Sequence, residues 1–338
     1  MLTSVKTHKS AGGSMWRILS IIVFLAFARD IAFAQNSPDA EICAGDDPAA
    51  TILVCSKLID DKKLNDADRA RAYIDRGIAY AHKGEFEHAI QDFDTVIRLS
   101  PKYAYAYLLR GYTYQTKRDY DRAITDYDKT IALDQKNTAA YANRGVTYYL
   151  KGDRDRAIAD FDQVASLDPQ NVKNYFNRSS AYNAKGEYDH ALADYNKIIS
   201  INPENAMAYT WRGYANMRKG DTRQAITDLD KAIILDPKLA PAYAHRGYFY
   251  LENGDQTRAI ADYDKAIALE PKIADLYFNR SRAYLKKGDH AHAISNLDTT
   301  IALDTKHITA LITRGELYTM KNKYDHAIAD LDKAITLD

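Results

Sequence analysis

The chain has 338 residues, 46% of them apolar, which is enough to bury a sizeable core in one large or two ordinary domains. Lysine plus arginine and aspartate plus glutamate both number 46, so the formal charge is zero. That balance argues against nucleic acid or an anionic membrane as the main partner, because either would leave a basic excess.

In chain order, the first segment reads as a signal and not as part of the fold. Lys6, Lys9 and Arg17 precede the apolar run "ILSIIVFLAFA" (Ile18 to Ala28), and Ala32 and Ala34 place small residues before Gln35. This is the order of a secretory signal peptide over residues 1–34, with Met15 as an alternative start. The run is short of the roughly 20 residues a membrane span needs. The alternative is a retained anchor, the one route to a membrane that the sequence offers. Export to the periplasm or beyond is therefore expected. Cys43 and Cys55, the only cysteines, are twelve residues apart, and in an oxidising compartment one disulfide is expected. Two thiolates with no neighbouring histidine do not complete a zinc shell, and no metal or cofactor is expected.

From Tyr73 onward the sequence repeats every 34 residues. One column holds Tyr73, Tyr107, Tyr141, Tyr175, Tyr209, Tyr243 and Tyr277; another holds Arg76, Arg110, Arg144, Arg178, Arg212, Arg246, Arg280 and Arg314 without exception. A glycine or serine follows each arginine, an alanine column runs from Ala89 to Ala327, and prolines close five units. Within a unit, Tyr141, Gly145 and Tyr148 form one helical stripe, "KGD" (Lys151 to Asp153) punctuates, and Ala157, Ile158, Phe161 and Ala165 form a second stripe. Each unit therefore predicts two helices. Glycine inside a helix costs about 1 kcal/mol against alanine, so its recurrence implies a close approach. Gly145 is expected to face Ala157.

The order Tyr-x2-Arg-Gly-x2-Tyr, then Ala-x3-aromatic, then Pro, at a period of 34, resembles the tetratricopeptide repeat (TPR). The resemblance covers residues 70–338 as eight tandem units, and the constant arginine is similar to the "NRG" subtype of exported bacterial repeat proteins. It implies an all-α fold, an α-solenoid (superhelix) of helix-turn-helix TPR repeats.

The arginine column lies roughly 60° to one side of the tyrosine stripe at about 100° per residue. From there Arg144, Arg178 and Arg212 are expected to bury their stems and pair with Asp160, Asp194 and Asp228 on the second helices, a structural ladder. A row of anion-binding arginines is the alternative. Thirty-four residues before Gly77 and Ala89 stand Cys43 and Cys55, so residues 35–69 read as a degenerate leading helical hairpin stapled by the disulfide. At the other end Ile328, Leu331 and Ile335 have no following repeat in this sequence, which raises weak homo-oligomerisation through that end.

Catalytic motifs are missing: the sequence has no GxGxxG, GxxxxGK[ST], HExxH or GxSxG. His290 and His292 are two apart on a helix and point to different sides. His88, His190, His292 and His326 share a column that reads as solvated surface. The expectation is no enzyme and a protein or extended peptide as partner; the alternative is a structural subunit of an envelope or secretion assembly, bound through the convex face or the open C-terminal end, with carbohydrate binding or an enzyme behind it. In tetratricopeptide proteins the first helices line the groove where ligands lie. Opposite the Tyr stripe come Leu108, Tyr112, Asn143, Tyr149, Phe176, Asn177, Trp211, Tyr214, Tyr248, Phe278 and Asn279, the candidate peptide-binding positions. Asn143, Asn177 and Asn279 form an interrupted asparagine column, similar to the ladder that grips peptide backbone in relatives resembling O-GlcNAc transferase. No carboxylate clamp of Lys, Arg and Asn is found. The bland alternative is that the aromatics pack between neighbouring helices.

Overall fold

A computed structural model describes Cys43 and residues 47–337. The predicted signal peptide and its cleavage site lie outside the described residues. Those described form helices joined by short turns, with no strand among them. They fall into two compact units that part between Gly186 and Glu187. The first holds α1 (Pro48–Asp60), α2 (Asp66–His82), α3 (Phe86–Leu99), α4 (Ala104–Thr116), α5 (Tyr120–Leu133), α6 (Thr138–Lys151), α7 (Arg154–Leu167) and α8 (Val172–Lys185). The second holds α9 (Tyr188–Ile201), α10 (Ala206–Lys219), α11 (Thr222–Leu235), α12 (Ala240–Glu252), α13 (Gln256–Leu269), α14 (Ala274–Lys286), α15 (His290–Leu303), α16 (Ile308–Met320) and α17 (Tyr324–Leu337). The fold is all-α, with each repeat supplying a first and a second helix.

The turn inside a repeat is set by its own chemistry. Gly152 ends α6 in the left-handed region at φ 88°, where a Cβ would be strained. Asp153 then caps α7, its carboxylate accepting the Arg156 amide at 3.1 Å. In two repeats the left-handed position holds a larger side chain, Arg118 at φ 64° and Asn322 at φ 57°. The connection between repeats is pinned from the first tyrosine column. The hydroxyls of Tyr107, Tyr175, Tyr243 and Tyr277 donate to the carbonyls of Pro101, Pro169, Pro237 and Pro271 at 3.0–3.3 Å.

Inside each unit consecutive helices pack on one another, and successive first helices also touch: α2 with α4, α4 with α6, α6 with α8, then α10 with α12 and α12 with α14. Within each unit the first helices thus form a mutually touching row. The second-helix aromatics form the core, with Phe93, Tyr127, Phe161, Tyr195 and Tyr263 essentially without solvent exposure. Gly145 makes room for one of these rings, and not for Ala157 as the sequence led us to expect. A Cβ there would stand 2.7 Å from the Phe161 ring and 3.2 Å from the Asp160 Cβ. In the second unit the alanine does meet the glycine, but through its backbone: the Ala225 carbonyl lies 3.0 Å from the Gly213 Cβ position. The close approach is to ring and backbone because alanine's one carbon is too short to span the helix pair.

Cys43 and Cys55 form a disulfide, their Cα atoms 5.5 Å apart, and Cys55 is buried against Ala72 at the start of the first unit. Closing so short a loop contributes about 3 kcal/mol in the chain-entropy account. On α17, Ile328 and Ile335 are 57% and 74% exposed, whereas Ile301, the counterpart of Ile335 one repeat earlier, is 8% exposed.

Candidate binding surface

The arginines are committed to packing. Arg144 donates from Nε and Nη2 to the two oxygens of Asp160 at 2.9 and 2.6 Å, and from Nη1 to Asp128 at 2.5 Å. Asp160 lies sixteen residues ahead in the same repeat, while Asp128 lies sixteen behind in the preceding one. Arg110 repeats the fork with Asp126 and Asp94, and Arg246 with Asp262 and Asp230. Arg212 takes Asp228 on one side and Asn196 on the other. Arg178 reaches Asp162 at 2.6 Å, and Asp194 is buried in the second unit. Guanidiniums also lie over tyrosines of their own helix, as Arg144 does over Tyr141 and Tyr148 at 5.6 and 5.9 Å and Arg212 over Tyr209 at 5.2 Å. The hydrogen bonds to Asp126 hold Arg110 protonated, while burial pushes the Asp126 carboxyl up against the pull of that guanidinium. Sequence reasoning named the inner carboxylates and missed the outer column of Asp94, Asp128, Asp162, Asp230, Asp264 and Asp298. Its signal was present: an acidic residue stands two positions after Asp92, Asp126, Asp160, Asp228, Asp262 and Asp330, with Asn196 as the exception after Asp194.

The first-helix candidates divide by exposure. Leu108, Tyr112, Asn143, Tyr149, Phe176, Asn177, Tyr248 and Phe278 are half-buried, within reach of a ligand. Trp211, Tyr214 and Asn279 are buried and cannot serve as an open surface. The reason is the touching row. His245 of α12 packs on Trp211 and Tyr214 of α10 at ring distances of 5.0 and 5.1 Å, closing the gap between the helices. His245 itself is 3% exposed and its Nδ1 has no hydrogen-bond partner; burial pulls its pKa down to about 4.

Between α2 and α4 of the first unit, by contrast, the touching helices leave a gap. A cavity of about 130 Å³ lies between α2 and α4, walled by Ile78, Phe93, Leu109 and Tyr112, with His82 and Thr116 at its turn end. Ile78 and Tyr112 are the same position in successive repeats, as are His82 and Thr116. One turn before Ile78, the Asp75 side chain is 19% exposed and its Oδ2 is buried without a hydrogen-bond donor. Arg71 approaches only to 4.0 Å, and burial, outweighing Arg71, pushes the carboxyl up to about 6. Of the cavity wall, the sequence candidates include Tyr112. Ile78, His82 and Asp75 occupy the same columns one repeat earlier and were the readable signal. No group of three or more His, Cys, Asp or Glu side chains among the described residues is arranged to hold a metal.

Family profiles described as TPR repeat match residues 77–117, 180–220 and 247–288, and profiles described as tetratricopeptide repeat match 108–172, 206–239, 229–261, 274–307 and 308–338. Among curated proteins none matches the chain. Among solved structures, a tetratricopeptide repeat protein from Parabacteroides merdae is similar at 19% identity and a TM-score of 0.62, over 77% of this chain and 98% of that one. The C-terminal part of a TPR repeat-containing protein from Cytophaga hutchinsonii is similar at 22% identity and a TM-score of 0.59, over 71% and 97%. A chain of the APC/C hetero-tetramer Cut9–Hcn1 is similar at 15% identity and a TM-score of 0.56, over 89% of this chain but only 59% of that chain's length. At these identities the likeness is one of fold.

Proposed function

The chain belongs to the tetratricopeptide repeat family, and from that premise we propose that it is a non-catalytic protein- or peptide-binding scaffold of the cell envelope. Its ligand lies along the row of first helices. The observation that carries this reading is a division of labour between columns. The side chains that recur, Arg with Asp and Tyr with the proline carbonyl, are engaged in packing. Of the first-helix positions that change type from repeat to repeat, Tyr112, Asn143, Asn177 and Tyr248 stay half-exposed, while Trp211, Tyr214, His245 and Asn279 are buried. A fixed frame bearing varied contact residues suits a ligand whose features differ along its length. Export rests on the segment Lys6 to Gln35.

The test is comparative capture from an envelope extract, with the full chain as bait beside a variant carrying Asn143→Ala, Asn177→Ala and Tyr248→Ala. All three are half-buried, so the fold should tolerate them, and equal melting temperatures would verify that. Ligands lost by the variant support the reading; ligands held equally by both defeat it. The second reading is a structural subunit of an envelope or secretion assembly, bound through the convex face or through α17, where Ile328 and Ile335 are exposed. The similarly folded chain in the Cut9–Hcn1 hetero-tetramer shows that such a fold can serve within an assembly. Ligands lost on Ile328→Glu and Ile335→Glu would favour it.

A further inference from the structure

The cavity between α2 and α4 has the size and the neighbours of a specific subsite. At about 130 Å³ it is slightly smaller than an engineered cavity of about 150 Å³ that takes up benzene. It therefore admits one side chain of leucine to phenyl size. Its wall, built from Ile78, Phe93, Leu109 and the Tyr112 ring, offers almost no polar surface to a ligand. The occupant's inserted group is apolar for the same reason that a polar one would forfeit its hydrogen bonds to water.

Asp75 fixes what stands beside that group. Asp75, Ile78 and His82 fall at i, i+3 and i+7, one stripe of α2. The carboxylate is thus on the face that leads into the cavity. Its Oδ2 has no donor, and the phenols of Tyr103 and Tyr105 lie within its electrostatic reach. A cationic donor answers all three groups: it makes a charge-assisted bond to the carboxylate and is attracted to the tyrosine rings. Along α2 the centre of the cavity, between Ile78 and His82, is about 7 Å from Asp75 at 1.5 Å per residue. In an extended peptide, side chains two residues apart share a face and are separated by about 6.7 Å. The two spacings match.

Resting on the reading of the first helices as a peptide-binding row, we infer that the α2–α4 cavity and Asp75 form a subsite for an extended peptide bearing a leucine-sized apolar residue and, two positions away, a lysine or arginine. Arg71, 4.0 Å from Asp75, is the internal cation that such a ligand displaces.

The test uses the full chain and four fluorescein-labelled peptides read by anisotropy: GSGLGKGSG, GSGLGEGSG, GSGLGSGSG and GSGSGKGSG. The Leu-x-Lys peptide is expected to bind at least tenfold more tightly than each of the others. Asp75→Asn should reduce its affinity to that of the Leu-x-Ser peptide and leave the latter unchanged. Ala81→Leu, which fills the cavity from its rim, should abolish the advantage of leucine over serine. Arg71→Gln should tighten Leu-x-Lys by removing the competitor, a gain that damage to the fold would not produce. Equal binding of Leu-x-Lys and Leu-x-Glu, no binding of Leu-x-Lys, or an affinity indifferent to Asp75→Asn would each overturn the assignment. The broader reading fails separately, on capture that ignores Asn143, Asn177 and Tyr248.

Discussion

Replacing Arg144 by methionine isolates the energetics of the arginine fork. Methionine keeps most of the stem's volume and removes the guanidinium, so Asp160 loses both of its bonds, at 2.9 and 2.6 Å, while remaining only 5% exposed. An uncompensated carboxylate at that depth costs about 3–5 kcal/mol. Asp128, at the other tine, is 52% exposed and loses a single bond. Water replaces that bond, so Asp128→Asn should cost under about 1 kcal/mol. Urea titrations followed by far-ultraviolet circular dichroism compare the two variants in the same array. Arg144→Met should move the midpoint several times further than Asp128→Asn. The double variant Arg144→Met, Asp160→Leu should regain most of the loss, because an apolar pair leaves no charge to solvate. Equal midpoint shifts for the two single variants, or a double variant no better than Arg144→Met, would refute the view that burial of the inner carboxylate sets the cost.

Acid should destabilise the second unit through His245. Its pKa lies at about 4 in the folded state against an ordinary 6.5, so only the unfolded chain takes up the proton between those values. Stability is full above pH 6.5, falls as pH drops, and levels near pH 4 after a loss of about 3 kcal/mol. In His245→Phe this component should vanish, and melting curves from pH 7 to 4 that run parallel for wild type and variant would contradict the assignment. Arg118→Gly should raise stability by about 1 kcal/mol, since φ of 64° is a conformation that glycine adopts without strain; an unchanged or lower melting temperature would count against it. Gly145→Ala should cost about 1–3 kcal/mol, because the added carbon would stand 2.7 Å from the Phe161 ring, and a variant that melts with wild type would show that the ring yields.

What the sequence made readable and what it hid follow from where each interaction closes. Helix count, turn positions and the Arg144–Asp160 pairing are properties of one repeat, and a 34-residue frame displays one repeat many times over. The bond from Arg144 to Asp128 crosses to the preceding repeat, and periodicity alone does not say which copy of a column a side chain reaches. The same limit explains Trp211 and Tyr214. A helical wheel places both on the free side of α10, but the side chain that covers them, His245, belongs to α12. Gly145 was read as facing another small residue because both columns are small. The decisive partner, the Phe161 ring, comes from a neighbouring position that the wheel also lists as core. The cavity near Asp75 escaped notice for a simpler physical reason: it is a void left where Ile78 and Leu109 fail to fill the space that Tyr214 and His245 fill at the same two positions four repeats later.

Because an interior fork needs only a side-chain oxygen sixteen residues ahead and another sixteen behind, an aspartate at most sites and an asparagine at Asn196 and Asn296, a copy of the repeat can satisfy its neighbours on both sides. The outer carboxylate of one repeat serves whichever arginine comes next, as Asp94 serves Arg110 and Asp128 serves Arg144. Deleting or duplicating a whole unit would leave every interior junction with its full set of partners. Length can then change by gene duplication in single steps, with no compensating substitution required. The same rule forbids partial steps: an insertion of a few residues inside a repeat would shift both counts at once and strand a buried carboxylate.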